Sequence, residues 1–311
     1  MTRYLAGRLL ASLVTLWAVV TVVFFLLRVA PGGPFDGERR LTPEVEANLR
    51  AAYHLDEPLL NQYARYVGML LRGDLGPSFR SKDFTVGELI AGGLPVSLTI
   101  GGLALALAAG LGIAAGTGAA LARDGPRDRW LTFAATAGLA FPPIVVAPLL
   151  VLIFAVVLGW LPAGGFTTPA HVVLPAVALA LPYLAAFTRL TRGSVVQTLA
   201  LPHVRTAIAK GLPTRRVVVR HVLPTALIPV VSFLGPAAAA LLAGSMVIEE
   251  VFSLPGLGRY FVQGALNRDY TLVMGTVVVY ATAILAFNLA VDLLYTRLDP
   301  RIRLGRTRLG E

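Results

Sequence analysis

Very few residues of this chain are of types that carry out enzyme chemistry. The 311-residue sequence has no cysteine, which excludes disulfides, cysteine-ligated metals, iron–sulfur clusters and thiol nucleophiles. Its four histidines include no HxxxH metal pair. Neither of its two lysines, Lys82 and Lys210, follows a glycine, so the GxxxxGK(S/T) loop that holds ATP phosphates is absent. We therefore expect no catalytic residue, no metal site and no cofactor.

The elements that position the remaining polar residues are membrane spans. Hydrophobic residues make up 56% of the chain and charged residues 14%, and the mean hydropathy is +0.73. Soluble domains carry roughly 25% charged residues, so a soluble fold is excluded. Long uncharged stretches predict an all-α, polytopic membrane protein. Its six expected spans lie near Leu9–Leu27, Ser97–Leu121, Leu131–Leu158, Val172–Phe187, Leu227–Ile248 and Thr271–Val291.

The first span resembles a signal peptide in one respect only. Arg3 and Arg8 precede it, but its apolar core is longer than that of a typical signal peptide. Arg28 also stands where a small residue should precede a cleavage site. We expect the segment to be retained as a membrane helix.

Basic residues predict the orientation. Six spans place both termini on one side, and that side carries 17 of the 27 Lys and Arg residues. The positive-inside rule then makes the termini cytoplasmic. The net charge of +10 follows from this topology, so we do not infer nucleic-acid binding.

A polar stretch from residue 31 to about 89 is expected outside the cell. Apolar residues at helical spacing follow Pro58 and end before Gly73, which predicts one helix there. The sequence leaves open whether this cap packs over the spans as a lid or docks a partner. We divide the chain into a first span (1–30), a cap (31–93), a core of five spans (94–300) and a cytoplasmic tail (301–311).

A second polar stretch, residues 189–225, is expected in the cytoplasm. Pro202 suits a first helical turn and Gly211 a C-terminal cap, which predicts a short basic helix at about His203–Lys210. A helix this short cannot bury a core of its own. It needs the membrane surface, the chain's own spans or a cytoplasmic partner to lie against, and composition leaves all three open.

The end of this stretch predicts a second short helix. Thr214 is expected to cap the segment Arg215–Leu223, which Pro224 should terminate. Within the spans, Asp292 is the only side chain of fixed charge. Ion-coupled carriers place several ionisable groups at membrane depth, so we expect the energy source to lie in another protein.

The stretch Leu201–Pro224 resembles the cytoplasmic signature of the permease subunits of binding-protein-dependent ABC importers. That signature reads EAA, three residues, Gly, nine residues, and then I-x-L-P. Here Arg205-Thr206-Ala207 occupies the EAA place, Gly211 the glycine and residues 221–224 the final motif. The form Arg-Thr-Ala-x-Ala-Lys-Gly-Leu is similar to the dipeptide/oligopeptide branch.

Further segments resemble the B-type oligopeptide permeases of this family and follow the same order along nearly the whole chain. They are residues 28–39, 42–45, 53–58, 73–79, 146–151, 188–194, 244–249, 254–258, 264–270 and 299–303.

The resemblance implies the type I ABC importer permease fold and a set of partners. These are a second homologous permease, two cytoplasmic ABC ATPases that bind the ATP, an extracytoplasmic peptide-binding protein, the peptide substrate and membrane lipid. It makes His203–Lys210 the coupling helix, seated in a groove of one ATPase and moved as a lever. The coupling residues implied are Arg205, Thr206, Ala207, Lys210, Gly211, Leu223 and Pro224.

Particular roles follow from the same resemblance. Arg205 and Lys210 would pair with acidic groove residues, Ala207 would allow close approach, and Gly211 would allow the tight turn after the helix. The substrate-binding residues are not predicted.

Other residues leave alternatives open. Glu249 and Glu250 end the fifth span, where they would contact the receptor, form a gate or be solvated at the interface. Asp292 would be a gating charge or the partner of a nearby arginine. Gly112 and Gly116 fit close helix packing.

The leading hypothesis is an importer permease for oligopeptides. The alternatives are the same machine for dipeptides, nickel or another solute, an ion-coupled secondary transporter, and an intramembrane enzyme. The last is disfavoured because no span offers a paired nucleophile and base.

Overall fold

The computed structural model describes residues 2–29, 44, 50–51, 54–80 and 83–298. These residues are helical, apart from loops and one isolated bridge between Pro77 and Thr85. The helices are α1 (Thr2–Val29), α2 (Leu59–Leu71), α3 (Val86–Leu121), α4 (Pro126–Ala140), α5 (Pro143–Leu150), α6 (Val173–Leu199), α7 (Pro202–Ala209), α8 (Thr214–Val217), α9 (Leu223–Ala226), α10 (Ile228–Val251), α11 (Leu257–Leu266) and α12 (Tyr270–Leu298). Two π-helices, Val151–Val157 and Val218–Val222, and the 3₁₀ helix Pro169–Val172 complete them.

The predicted all-α membrane architecture is confirmed. Among the described residues, five helices are long and apolar enough to cross a bilayer: Ala6–Val29, Val86–Leu121, Pro169–Leu199, Ile228–Val251 and Tyr270–Leu293. A sixth span exists if Pro126–Ala140 and Pro143–Val157 are counted together. The predicted tail, 301–311, lies outside the described residues. Of the segment 28–39, which carries part of the family resemblance, the structure describes only Arg28 and Val29.

The predicted span near Leu131–Leu158 is not a single straight helix. Helices α4 and α5 are bent by 100° at a short break. Phe141 (φ −108°, ψ 121°) and Pro142 (φ −59°, ψ 143°) are both extended. A proline pushes the residue before it out of the helical region, and here Pro142 and Pro143 act in succession.

The fourth span was predicted to end at Phe187, but the helix is longer in the structure. Helix α6 continues past Phe187 to Leu199, so Arg189 and Arg192 belong to a helix and not to a loop. No proline lies between Phe187 and Leu199 to end the helix. Arg192 forms an ion pair with Asp128 of α4 through two hydrogen bonds of 2.6 Å.

By its internal contacts the chain forms two units. Unit 1 comprises Met1–Ser97 with Pro255–Thr282, and unit 2 comprises Leu98–Leu254 with Ala283–Glu311. In unit 2, α6 is the central helix and contacts α4, α5 and α10.

Two glycines allow α3 to approach α6 closely. A Cβ at Gly112 would lie 2.5 Å from Cβ of Phe187, and one at Gly116 would lie 2.5 Å from the backbone oxygen of Thr188. Both distances are shorter than any real contact, so the predicted packing role of these glycines is confirmed.

Unit 1 contains the predicted cap helix as α2. It begins after Pro58 and its C-cap residue, Arg72, precedes Gly73 at φ +77°. Tyr66 of α2 is buried beside Phe24 of α1, and this burial raises the pKa of the Tyr66 hydroxyl to about 12. The face of α2 that carries Tyr66 therefore packs within the unit, and docking of a partner on the cap stays a prediction.

Substitutions in α3 test the close packing. Gly116→Ala should lower the free energy of unfolding by about 1–3 kcal/mol, since the new Cβ meets backbone atoms that cannot move aside. The matched control is Gly110→Ala in the same helix, where a Cβ meets nothing within 4 Å. Thermal unfolding in detergent should separate the two, and equal stability of both variants would contradict the packing account.

Candidate functional site

Helix α7 is the predicted short basic helix, displaced by one residue. It spans Pro202–Ala209, with Lys210 as its C-cap residue. Leu201 is extended (φ −69°, ψ 145°) and its carbonyl accepts the N–H groups of Val204 and Arg205, both at 3.1 Å. Pro202 fits the first turn because its missing N–H would have no partner there.

Gly211 ends α7 in the way the sequence predicts. Its φ is +75°, a region that glycine enters without steric cost. The Gly211 N–H donates to the Ile208 carbonyl (2.9 Å) and the Leu212 N–H donates to the Ala207 carbonyl (3.4 Å). This pair of bonds is a Schellman motif, and it satisfies two carbonyls that the helix end would leave unbonded.

The inner face of α7 lies against the chain's own helices. Val204 is fully buried and Ala207 is 5% exposed, and both belong to a hydrophobic cluster with Val195 of α6. Of the three supports that the sequence left open, the chain's own helices therefore hold this face. The other members of the cluster are Ala120, Val217, Val222 and Ala226.

The small side chain of Ala207 lies within this cluster and allows α7 to pack closely on α6 and on the segment that follows. Its predicted role in coupling stays a prediction.

The outer face of α7 is basic and exposed. Arg205, Thr206 and Lys210 all lie there, with no ion pair to Arg205 or Lys210 among the described residues. Ile208 lies among them with 54% of its surface exposed. Sequence reasoning missed Ile208, although its offset from the buried pair Val204 and Ala207 is a signal that helical spacing provides.

The segment after α7 differs from the prediction. Thr214 makes no capping hydrogen bond, and the helical path continues through α8, a π-turn at Val218–Val222 and α9. Pro224 does not end it. In the π-turn the Leu223 N–H donates to the Val218 carbonyl, five residues back, and this wider turn accommodates the proline ring.

Two contacts tie this segment to α7. His203 Nε2 lies 3.3 Å from the backbone oxygen of His221. Leu223 is half-buried against the cluster that holds Ala207, whereas Pro224 is exposed. The predicted coupling residues thus form one structural module. Its exposed members are Arg205, Thr206, Lys210, Gly211 and Pro224.

The two glutamates at the end of α10 differ in exposure. Glu249 is fully buried and Glu250 is exposed. The Leu254 N–H donates to the Glu249 carbonyl (2.8 Å), and Ser253 takes φ +51°, which turns the chain sharply after the helix. Of the two, only Glu250 has its side chain at the surface. Asp292 is half-buried in α12.

Two protein-family models match this chain. The model described as binding-protein-dependent transport system inner membrane component matches residues 108–304. The model for the N-terminal part of such membrane components matches residues 1–100.

Curated relatives match over almost their whole length. The chain is 47% identical to the oligopeptide transport system permease protein OppB of Escherichia coli (strain K12), over 97% of this chain and 100% of the relative. It is 48% identical to OppB of Haemophilus influenzae, with the same coverage. It is 41% identical to the dipeptide transport system permease protein DppB of Bacillus subtilis (strain 168), over 98% and 99%.

Solved structures share the fold. A chain of the MetNI methionine ABC transporter in inward-facing conformations aligns with a TM-score of 0.58 and 17% identity, over 68% of this chain and 96% of that one. A chain of an amino acid ABC transporter crystallised with histidines aligns with a TM-score of 0.54 and 18% identity, over 68% and 94%. The fold expected from the resemblance is confirmed.

Substitution of Gly211 tests the end of α7. Gly211→Val should open the Schellman bonds, since a β-branched residue at φ +75° is strained by roughly 1–2 kcal/mol. Gly211→Asn is the matched control, because asparagine tolerates this conformation and the space around the position is open. Hydrogen exchange at the Leu212 amide should accelerate in the valine variant alone; equal exchange in both would contradict the assignment.

Proposed function

This chain belongs to the family of binding-protein-dependent transport system inner membrane components, and we propose that it is a permease subunit of an ATP-driven ABC importer of oligopeptides. The observation that carries the proposal is the two-faced helix α7. One face is buried in the chain's own helices and the other presents Arg205, Ile208 and Lys210 to a partner. The similarity to OppB along the whole chain supports the peptide substrate.

The buried face makes α7 suitable as a lever. Val204 and Ala207 pack on α6 and the Leu212 amide is bonded back to α7, so the helix cannot shift without moving the structure around it. When two ATPases close on ATP, a force on the outer face would reach the spans through this cluster. Alternating access then follows from the different affinity of the ATPases for the two states.

The outer face indicates what the ATPase groove presents. Two basic side chains and one exposed isoleucine fit a groove with an apolar floor and acidic walls. The arginine and lysine would raise the rate of association and fix the orientation, while Ile208 would be buried on docking.

The complete importer contains further subunits. A second homologous permease would complete the translocation path, and an extracytoplasmic peptide-binding protein would deliver the peptide. We place the chain in the bacterial cytoplasmic membrane with α7 and both termini in the cytoplasm, since basic residues concentrate on that side. Glu250, exposed at the far end of α10, is a candidate contact for the binding protein.

One relative supports a second candidate substrate. The 41% identity to DppB favours dipeptides as the alternative cargo of the same machine. Uptake of labelled tripeptide in competition with unlabelled dipeptide and pentapeptide would separate the two. Stronger competition by the dipeptide would move the assignment to dipeptide transport.

Charge reversal on α7 tests the coupling surface. The double variant Arg205→Glu with Lys210→Glu should weaken association with the ATPases at least tenfold and abolish peptide-stimulated ATP hydrolysis, because both groups face an acidic groove. Arg72→Glu is the control, since Arg72 is also exposed but lies at the end of α2. Co-purification of the ATPases from membranes measures the effect, and equal recovery with both variants would refute the docking surface.

Energy dependence separates an importer from an ion-coupled carrier. Vesicles that contain the complete transporter should take up peptide only when ATP is supplied, because the proposed importer is driven by ATP hydrolysis in its ATPase subunits. The same vesicles without ATP, under an imposed proton or sodium gradient, provide the control. Uptake driven by the gradient alone would overturn the proposal.

A further inference from the structure

A groove in unit 2 plays no part in the proposed transport cycle. It lies beside the first turns of α4 and consists of two adjoining cavities of about 490 and 420 Å³. Arg129 and Phe133 line both of them. The larger cavity is the more polar of the two, and its wall also contains Asp124, Asp128, Thr132, Thr136 and Arg192. The smaller one is apolar, with Pro126 and Trp130.

The buried acid in this groove is already neutralised. Arg192 donates from Nε and Nη2 to the two carboxylate oxygens of Asp128, each at 2.6 Å. The Asp124 backbone N–H and the Thr132 hydroxyl donate to the same carboxylate at 3.0 and 3.3 Å. Asp128 therefore has little capacity left to repel or bind a ligand. The Asp124 carboxylate, at the rim, is paired with Arg123 at 3.5 Å.

Positive charge in the groove is not fully compensated. Arg129 is exposed, and its guanidinium makes no ion pair or hydrogen bond with the residues that the structure describes. Arg192 uses only two of its three guanidinium nitrogens on Asp128, and its side chain is 32% exposed where it lines the cavity. The groove thus offers one free guanidinium and one further N–H₂ group beside it.

The apolar cavity adjoins these charges directly. Trp130 is 70% exposed and Phe133 is 64% exposed, and their rings meet edge to face at 6.0 Å. Large exposed aromatic side chains at the end of a span are typical of the boundary between lipid head groups and acyl chains.

We propose that this groove binds an anionic phospholipid. Its phosphate accepts hydrogen bonds from Arg129 and from Nη1 of Arg192, and the upper part of an acyl chain lies against Trp130 and Phe133. Basic pockets between membrane helices select anionic head groups by charge, and the aromatic wall excludes a free inorganic phosphate as the preferred ligand.

A lipid titration tests the charge. The purified full-length chain, stripped of lipid and titrated with phosphatidylglycerol, should lose about fivefold in affinity on Arg129→Gln, the usual effect of one basic group. Arg127→Gln is the matched control in the same turn, because its guanidinium lies near Gly118 of α3 and outside the groove. Native mass spectrometry counts the retained lipids.

Three outcomes of this titration overturn the proposal. The first is an equal loss with Arg127→Gln, which indicates diffuse surface charge. The second is equal affinity of the unmodified chain for phosphatidylcholine. The third is equal competition by inorganic phosphate, which indicates an anion site with no lipid preference.

A fluorescence measurement tests the aromatic wall. The chain has three tryptophans, so Trp17→Phe with Trp160→Phe leaves Trp130 as the only reporter. Brominated phosphatidylglycerol should quench it more strongly than brominated phosphatidylcholine, and Arg129→Gln should remove the difference. Equal quenching by both lipids before that substitution contradicts the proposal.

A crosslinking experiment addresses the assembled transporter. A photoreactive phenylalanine in place of Phe133 should join phosphatidylglycerol in vesicles that contain it. A crosslink to another subunit shows that a protein covers the groove, and that result also overturns the proposal while leaving the transport function intact.

Discussion

The packing of α7 on its own chain is the interaction on which the function of the structure depends. An eight-residue helix has too little apolar surface to stay folded alone. Val204 and Ala207 give it a seat in the cluster around Val195, and the Leu212 amide closes the end of the helix against the Ala207 carbonyl. This packing fixes α7 to the membrane-spanning helices and leaves its opposite face exposed, where another protein could bind.

Short-range backbone rules explain what could be predicted from the sequence. Pro202 and Gly211 bracket α7 because one lacks an N–H and the other enters a positive φ, and both effects act within a few residues. The apolar spans follow from the same local logic, since the bilayer requires about 20 uncharged residues in succession. Neither inference needs knowledge of what the helix touches.

Features that depend on packing against neighbouring helices could not be predicted from the sequence. Pro182 lies inside α6 without ending it, whereas Pro142 and Pro143 together open a 100° bend. A single proline leaves backbone groups of one turn unbonded, and neighbouring helices can bond them. Two prolines in succession push two consecutive residues, Phe141 and Pro142, out of the helical region. The inward direction of Ala207 and the exposure of Ile208 likewise depend on where α6 lies, and composition does not contain that information.

Arg205 occupies the place where the family signature has a glutamate, and its position in α7 shows what this replacement changes. Because Arg205 and Thr206 lie on the outer face, their departure from the signature leaves the buried seat at Val204 and Ala207 unchanged. Arg205 inverts the charge on the outer face, whereas the Thr206 hydroxyl donates to the Pro202 carbonyl of α7 itself. In the proposed complex with an ATPase, electrostatic complementarity would require the facing groove to be acidic where a partner of a glutamate would be basic. A permease of this branch should therefore discriminate between ATPases by the sign of one groove charge, while the lever behind it stays the same.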